Sequence, residues 1–136
     1  MPTVRPDPER DFGGVVGIHE LAFADGRSRC TLDVEPRHYN PNGVLHGGVS
    51  FTLADVGMGS AVFSSLGPGQ RTTAVEVQVR FLRTVTGGRL TAESEIVSRH
   101  DRIALARSEI RDGQGRLVAI ATGTFYVTPA PTEDGS

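Results

Sequence analysis

Asp55 is the only carboxylate or arginine between His46 and Leu66. The rest of that run is mostly apolar or small: Val49, Phe51, Leu53, Ala54, Val56, Met58, Ala61, Val62, Phe63 and Leu66. Burying a carboxylate without partners is costly. Two uses would keep it there. One is structural, an arginine partner or a subunit interface. The other is catalytic, since active sites are where carboxylates are perturbed by burial. The position alone leaves both open. Just upstream, Asn40-Pro41-Asn42-Gly43-Val44-Leu45-His46-Gly47-Gly48 puts a loop, a histidine and two glycines at the start of the same run. First-turn helix amides have no intrahelical acceptor and lie at the positive end of the helix dipole. Glycine lets a ligand approach that backbone closely. Such an end can hold the negative charge that develops on a carbonyl oxygen under attack. The bland alternative is that the glycines only permit a tight entry turn and that His46 caps the helix.

Helix geometry constrains these two features jointly. Gly47 and Asp55 are eight residues apart in the sequence, about 12 Å along a helix axis. A base and an oxyanion donor acting on one carbonyl must lie within about 7 Å of each other. One regular helix cannot bring them together. Two antiparallel helices in a two-fold dimer can, each offering its N-terminus to the partner's Asp55.

The elements around the helix read as strands. Val15 to Phe23 and Arg29 to Val34 are β-rich and are separated by Asp25-Gly26, a hairpin signal. Gly67-Pro68-Gly69 ends the helix. Val75, Val77, Val79 and Phe81 then alternate with Glu76, Gln78 and Arg80, which predicts a half-buried strand. Thr86-Gly87-Gly88, His100-Asp101 and Asp112-Gly113-Gln114-Gly115 separate further runs at Leu90–Arg99, Ile103–Arg111 and Leu117–Val127. The second half therefore reads as a four-stranded antiparallel meander. An apolar helix of roughly 20 residues is a buried one, so the sheet is expected to wrap around it. Ala119, Ala121 and Gly123 on one strand, with Gly57 and Gly59 on the helix, would allow close approach. The expected organisation is a flexible segment over 1–12, one domain over 13–128 and a disordered tail over 129–136.

Composition narrows the function classes. A net charge of −2 gives no reason to expect general binding to nucleic acid or to an anionic membrane. No run approaches the roughly 20 apolar residues of a membrane span, and Met1 to Phe12 has no apolar leader core. All fourteen basic residues are arginine, a residue suited to phosphate through its bidentate fork as well as a product of genomic bias. The single cysteine, Cys30, alternates with Leu32 and Val34 and reads as core. These features lead to the expectation of a cytoplasmic protein. His38, His46 and Asp55 lack a familiar metal spacing. No phosphate loop, dinucleotide fingerprint or nucleophile elbow is present.

Residues 38–58, HYNPNGVLHGGVSFTLADVGM, resemble the signature of the hot-dog fold acyl-CoA thioesterase superfamily, and within it the phenylacetate-degradation type. Asn40, Gly43, His46, Gly47, Gly48 and Asp55 match the pattern. The resemblance implies an α+β hot-dog fold and hydrolysis of an aryl- or fatty acyl-CoA to free acid and CoA. No metal or other cofactor is implied, CoA being part of the substrate. Asp55 would activate the attacking water or attack the thioester itself. The Gly47 amide, helped by Asn40 and supported by His46 and Gly48, would polarise the carbonyl. Thr73, or else Thr72, would help place the water. Arg80, Arg83, Arg99 and Arg102 are the candidates for the CoA phosphates. One departure bears on Arg102: Asp101 stands where relatives often carry glycine. The family assembles as dimers, usually paired into tetramers. A non-catalytic acyl-CoA-binding protein and a hot-dog dehydratase or hydratase are the competing readings.

Overall fold

Turn chemistry sets the strand boundaries. The computed structural model describes residues 1–131. Asp25 and Gly26 both take positive φ, 52° and 77°, as a two-residue hairpin turn requires. They join β2 (Ile18–Ala24) to β3 (Arg27–Asp33). Asp101, at φ 54°, turns β5 (Arg89–His100) into β6 (Ile103–Arg111). Between these hairpins lie α2 (Gly47–Phe63) and β4 (Arg71–Phe81), and β7 (Leu117–Thr128) follows β6. Two short elements, β1 (Thr3–Val4) and α1 (Phe12–Val16), precede them. The expected hot-dog architecture is present: one antiparallel sheet in the order β1-β2-β3-β5-β6-β7-β4, curled around α2. The helix touches every strand from β2 to β7.

The core forms where α2 meets the concave face. Leu53, Ala54, Met58, Ala61 and Val62 are fully buried against Cys30, Leu32, Leu90, Ala104 and Ala119. Burial pushes the Cys30 thiol up to about 12, which leaves it an inert packing group. The small residues do what their size suggests. A Cβ at Gly123 would lie 2.8 Å from the Phe125 ring and 3.0 Å from Met58 Cε. At Gly57 it would lie 2.5 Å from Ser94 Oγ. Beneath Gly57 runs a buried seam of serines with no obvious sequence signal. Ser28 Oγ donates to the Gly57 carbonyl at 2.5 Å, and Ser94 Oγ donates to Ser108 Oγ at 2.9 Å. Each hydroxyl has a partner, so the seam avoids the penalty of a buried unpaired polar group.

The structure corrects several expectations. Val15 and Val16 are helical, not the start of a strand. Asp11 caps α1 by accepting from the Gly14 amide at 2.7 Å, and Gly17, at φ 112°, ends it. Thr3 and Val4, in the segment expected to be flexible, pair with Ala22 and Leu21. The part of the expected tail over 132–136 lies outside the described residues. The four-stranded meander is also not formed. β5, β6 and β7 are consecutive neighbours, but β4 crosses to the outer edge of β7, because the other edge of β5 is taken by β3. Thr86-Gly87-Gly88 thus belongs to a strap over residues 82–88 that crosses the end of the sheet. The alternation in β4 is broken by a bulge between Ala74 and Glu76, which leaves Val75 63% exposed. Finally, α2 is not buried all round. Phe51 is 42% exposed, and Phe63, although its ring meets Phe23 edge-on at 5.7 Å, is 57% exposed.

Gly57→Ala tests the close approach. The helix-propensity gain is at most about 1 kcal/mol, against about 1–3 kcal/mol for overpacking. Net destabilisation in urea titrations is expected. Pairing it with Ser94→Ala should cost less than the sum of the two single changes.

Candidate active site

The loop before α2 is held from both sides. Tyr39 and Leu45 form an isolated antiparallel bridge. Asn40 closes the loop between them: its amide donates to the Val44 carbonyl at 2.8 Å, and its carbonyl accepts from Gly43 at 3.0 Å. The Asn40 Oδ1 accepts from the Asn42 amide at 2.9 Å and the Val44 amide at 3.4 Å. The side-chain oxygen is therefore occupied, and the Nδ2 donors are the half free to meet a ligand. Gly43 sits at φ 79°, where a side chain would be strained. The strap supplies the other side. Leu45 donates to the Val85 carbonyl at 2.8 Å, and the Tyr39 hydroxyl donates to the Thr86 carbonyl at 2.6 Å.

His46 is the N-cap of α2. Its Nδ1 accepts from the Gly48 amide at 2.8 Å. This places the imidazole proton on Nε2, as a free donor at an exposed position. Gly48 thus acts through its lack of a side chain, since a Cβ would come within 2.9 Å of His46 Nδ1. Its N–H is not the open one. Among the described residues nothing accepts from the Gly47 amide. Phe81 covers Gly47 closely enough that a Cβ there would lie 2.9 Å from the ring, a contact that sequence spacing gave no hint of. The two buried nitrogens of His38 are both used, accepting from Glu35 and donating to the Val16 carbonyl, so His38 is architectural.

Asp55 lies two turns further on, half-buried on the partly exposed face of α2. It lines a hollow of about 380 Å³ with Val56, Gly59, Phe63, Thr72, Thr73 and Phe125. Among the described residues no cation pairs with it. Desolvation raises its pKa above the usual 3.8. The register of β4 distinguishes the two threonines. Thr72 faces buried Val127, and its Oγ1 is buried without a hydrogen-bond partner in the chain. Thr73 faces Tyr126 and is exposed. Both threonines line the hollow with Asp55; the Thr72 hydroxyl is the one that is buried and without a partner, and the Thr73 side chain is the more exposed.

The structure does not bring all the candidates together. Asn40, His46, Gly47 and Gly48 form one group, with Arg80 and Arg83 beside Phe81 at the end of β4. Asp55 and Thr72 form the other. Arg99, which donates to the Ser65 carbonyl and Oγ, and Arg102, which donates to the Tyr126 hydroxyl, lie beyond the C-terminal end of α2. With α2 regular over Gly47–Phe63, the two groups stay about 12 Å apart along its axis.

Comparison with known proteins places the chain among thioesterases. The description of the thioesterase superfamily fits residues 42–119, which include both the glycine pair and Asp55. A thioesterase of Haemophilus influenzae superposes with a TM-score of 0.85 at 26% identity, over 93% of this chain and 88% of that one. A Bacillus halodurans protein solved with CoA superposes with a TM-score of 0.71 at 30% identity, over 74% of this chain and 66% of that one. A 1,4-dihydroxy-2-naphthoyl-CoA hydrolase of Listeria monocytogenes is 26% identical over 82% of this chain and 91% of its own length.

The raised Asp55 pKa has a stability consequence with a definite sign. A carboxyl whose pKa is higher folded than unfolded costs stability as pH rises from the unfolded value through the folded one, and the full cost applies above the folded value. Asp55→Asn should therefore raise Tm relative to wild type at pH 7, and the gain should vanish below the ordinary carboxylate pKa of 3.8. Thermal melts of both proteins across pH 3–8 measure it; a variant less stable than wild type at pH 7 contradicts the desolvation.

Proposed function

The chain belongs to the thioesterase superfamily, and we propose that it hydrolyses the thioester of an aryl- or fatty acyl-CoA to free acid and CoA. That it is a thioester hydrolase follows from the family and its named relatives. The CoA substrate class is supported by a CoA-ester hydrolase and a CoA-bound protein among those relatives. The observation that carries the mechanism is that Asp55 and Thr72 line one hollow. A desolvated carboxylate without a cation shares a hollow with a buried hydroxyl that has no partner.

In this reading each site takes Asp55 and Thr72 from one subunit and Gly47, Asn40 and His46 from the other. The thioester carbonyl lies against the Gly47 amide, with Asn40 Nδ2 and His46 Nε2 as further donors. Charge building on that oxygen is held by donors already oriented before the reaction begins. Asp55, ionised, takes a proton from a water held by Thr72, or attacks the carbonyl itself to give an anhydride that water opens. The carbon–sulfur bond breaks, and the CoA thiolate leaves and is protonated. The mechanism uses no metal or other cofactor. Among the described residues Arg80, Arg83, Arg99 and Arg102 make no ion pair with a carboxylate, which suits a role toward the phosphates. In a two-fold dimer Arg80 and Arg83 of one subunit would flank the same site as Arg99 and Arg102 of the other. A dimer is the minimal unit, with a pair of dimers as the complete assembly. A cytoplasmic location accords with one unpaired, buried thiol.

Asp55→Ala should lower kcat by about a hundredfold or more, with KM changed far less. Thr72→Val should lower kcat and Thr73→Val should leave it near wild type. The acid limb of kcat/KM should lie above the ordinary carboxylate pKa of 3.8. These are measured by thiol release from a panel of aryl- and acyl-CoA substrates. A folded Asp55→Ala protein that keeps more than about half the wild-type kcat rules out the assignment.

A further inference from the structure

A second hollow, of about 350 Å³, lies between α1 and the N-terminal end of α2. Its lining includes Phe12, Val15 and Val16 from α1, Tyr39 from the loop, and Val49 and Thr52 from α2. It also touches His46 and Gly48, so it is continuous with the place where the thioester carbonyl must lie.

The polar groups of this hollow already have partners. The Tyr39 hydroxyl donates to Thr86, and Thr52 Oγ1 donates to the Gly48 carbonyl at 2.8 Å. His38 is satisfied at both nitrogens. Arg37 pairs with Glu35 at 2.8 Å and donates to the Val15 carbonyl at 2.7 Å. What remains for a ligand is apolar surface, and much of it is exposed: Phe12 is 67% and Val15 49% accessible. The wall is also fixed. Asp11 caps the start of α1, Arg37 and His38 hold the carbonyls at its end, and a Cβ at Gly14 would overlap the Asp7–Pro8 backbone. On the other side of Gly47, Phe81 and its neighbours Arg80 and Arg83 provide a basic flank. The two sides of the helix N-terminus thus differ in chemistry, one apolar and one cationic.

Resting on the hydrolase reading above, we infer that the α1 groove is the acyl subsite. It takes an uncharged, apolar acyl group longer than acetyl, and Phe12 and Val15 are the side chains that select it. The CoA portion leaves toward Arg80 and Arg83. Apart from His46 Nε2, which the thioester carbonyl takes, and Arg37, whose charge Glu35 already offsets, the groove offers no donor or cation, so an acyl group ending in a carboxylate would lose its hydration with little compensation.

The test measures kcat/KM by thiol release for acetyl-, hexanoyl-, phenylacetyl- and succinyl-CoA on wild type, Val15→Asp and Phe12→Ala. Size-exclusion chromatography and circular dichroism are run on each protein. Wild type should prefer hexanoyl- and phenylacetyl-CoA over succinyl-CoA. Val15→Asp should lower the hexanoyl-to-acetyl ratio of kcat/KM by about tenfold or more, and Phe12→Ala should lower it by a smaller factor. An unchanged ratio overturns the subsite. So does a uniform loss for every substrate together with a change of oligomeric state, which would make the groove a subunit contact. If wild type cleaves none of these thioesters, the hydrolase reading fails separately, and binding of hexyl-CoA and ethyl-CoA thioethers decides the groove. Tighter binding of the hexyl compound in wild type but not in Val15→Asp supports the subsite; equal binding of the two by wild type overturns it.

Discussion

The rigidity of α2 is the constraint on which the rest depends. A hydrogen-bonded helix fixes the spacing of its side chains, so the open amide at Gly47 and the carboxylate at Asp55 are held about 12 Å apart within one chain. Neither can move toward the other without breaking the helix, and that helix fills the concave face of the whole sheet. In the shared-site proposal, a second helix running the opposite way closes the distance. The features that look unfinished in the single chain agree with this. Phe51, Asp55 and Phe63 share the neighbourhood of a partly exposed helix face, and the bulged strand β4 leaves an unpaired edge with Val75 and Phe81 exposed. An apolar helix face beside an open sheet edge is a surface that a symmetric partner can complete.

In the proposed mechanism Asp55 owes its basicity to the same arrangement. The helix presents it beside Val56, Phe63 and Phe125, and without a nearby cation its charged form is disfavoured. A carboxylate that is poorly solvated is a stronger base than one in water. The fold tolerates this because the opposite side of α2 is tightly packed. Gly57 and Gly123 permit contact at van der Waals distance, and the serine seam satisfies its own hydroxyls.

Local periodicity and turn residues made much of this legible. The Asp25-Gly26 hairpin, the Ile103–Arg111 strand, the apolar helix with its lone carboxylate, and the small residues facing it all follow from short-range rules. Strand partners are a long-range property, and here the reading failed. Thr86-Gly87-Gly88 signals a change of direction and cannot say that β4 joins β7 while the strap crosses back to hold Leu45 and Tyr39. The bulge at Val75 has no sequence marker, yet the strand register around it places Thr72 beside buried Val127 and Thr73 beside Tyr126. Val15 and Val16 carry strand propensity, and the Asp11 cap overrides it.

Complementation between two inactive subunits tests the shared site most directly. Asn40→Ala and Asp55→Ala chains carrying different tags are co-expressed, and the mixed dimers are isolated by both tags and verified by mass spectrometry. In a shared site, one of the two sites of a mixed dimer holds both lesions and the other holds neither. Activity should then return to about half of wild type by symmetry counting. Verified mixed dimers that stay as inactive as their parents would contradict the shared site and leave Gly47 and Asp55 without a common role.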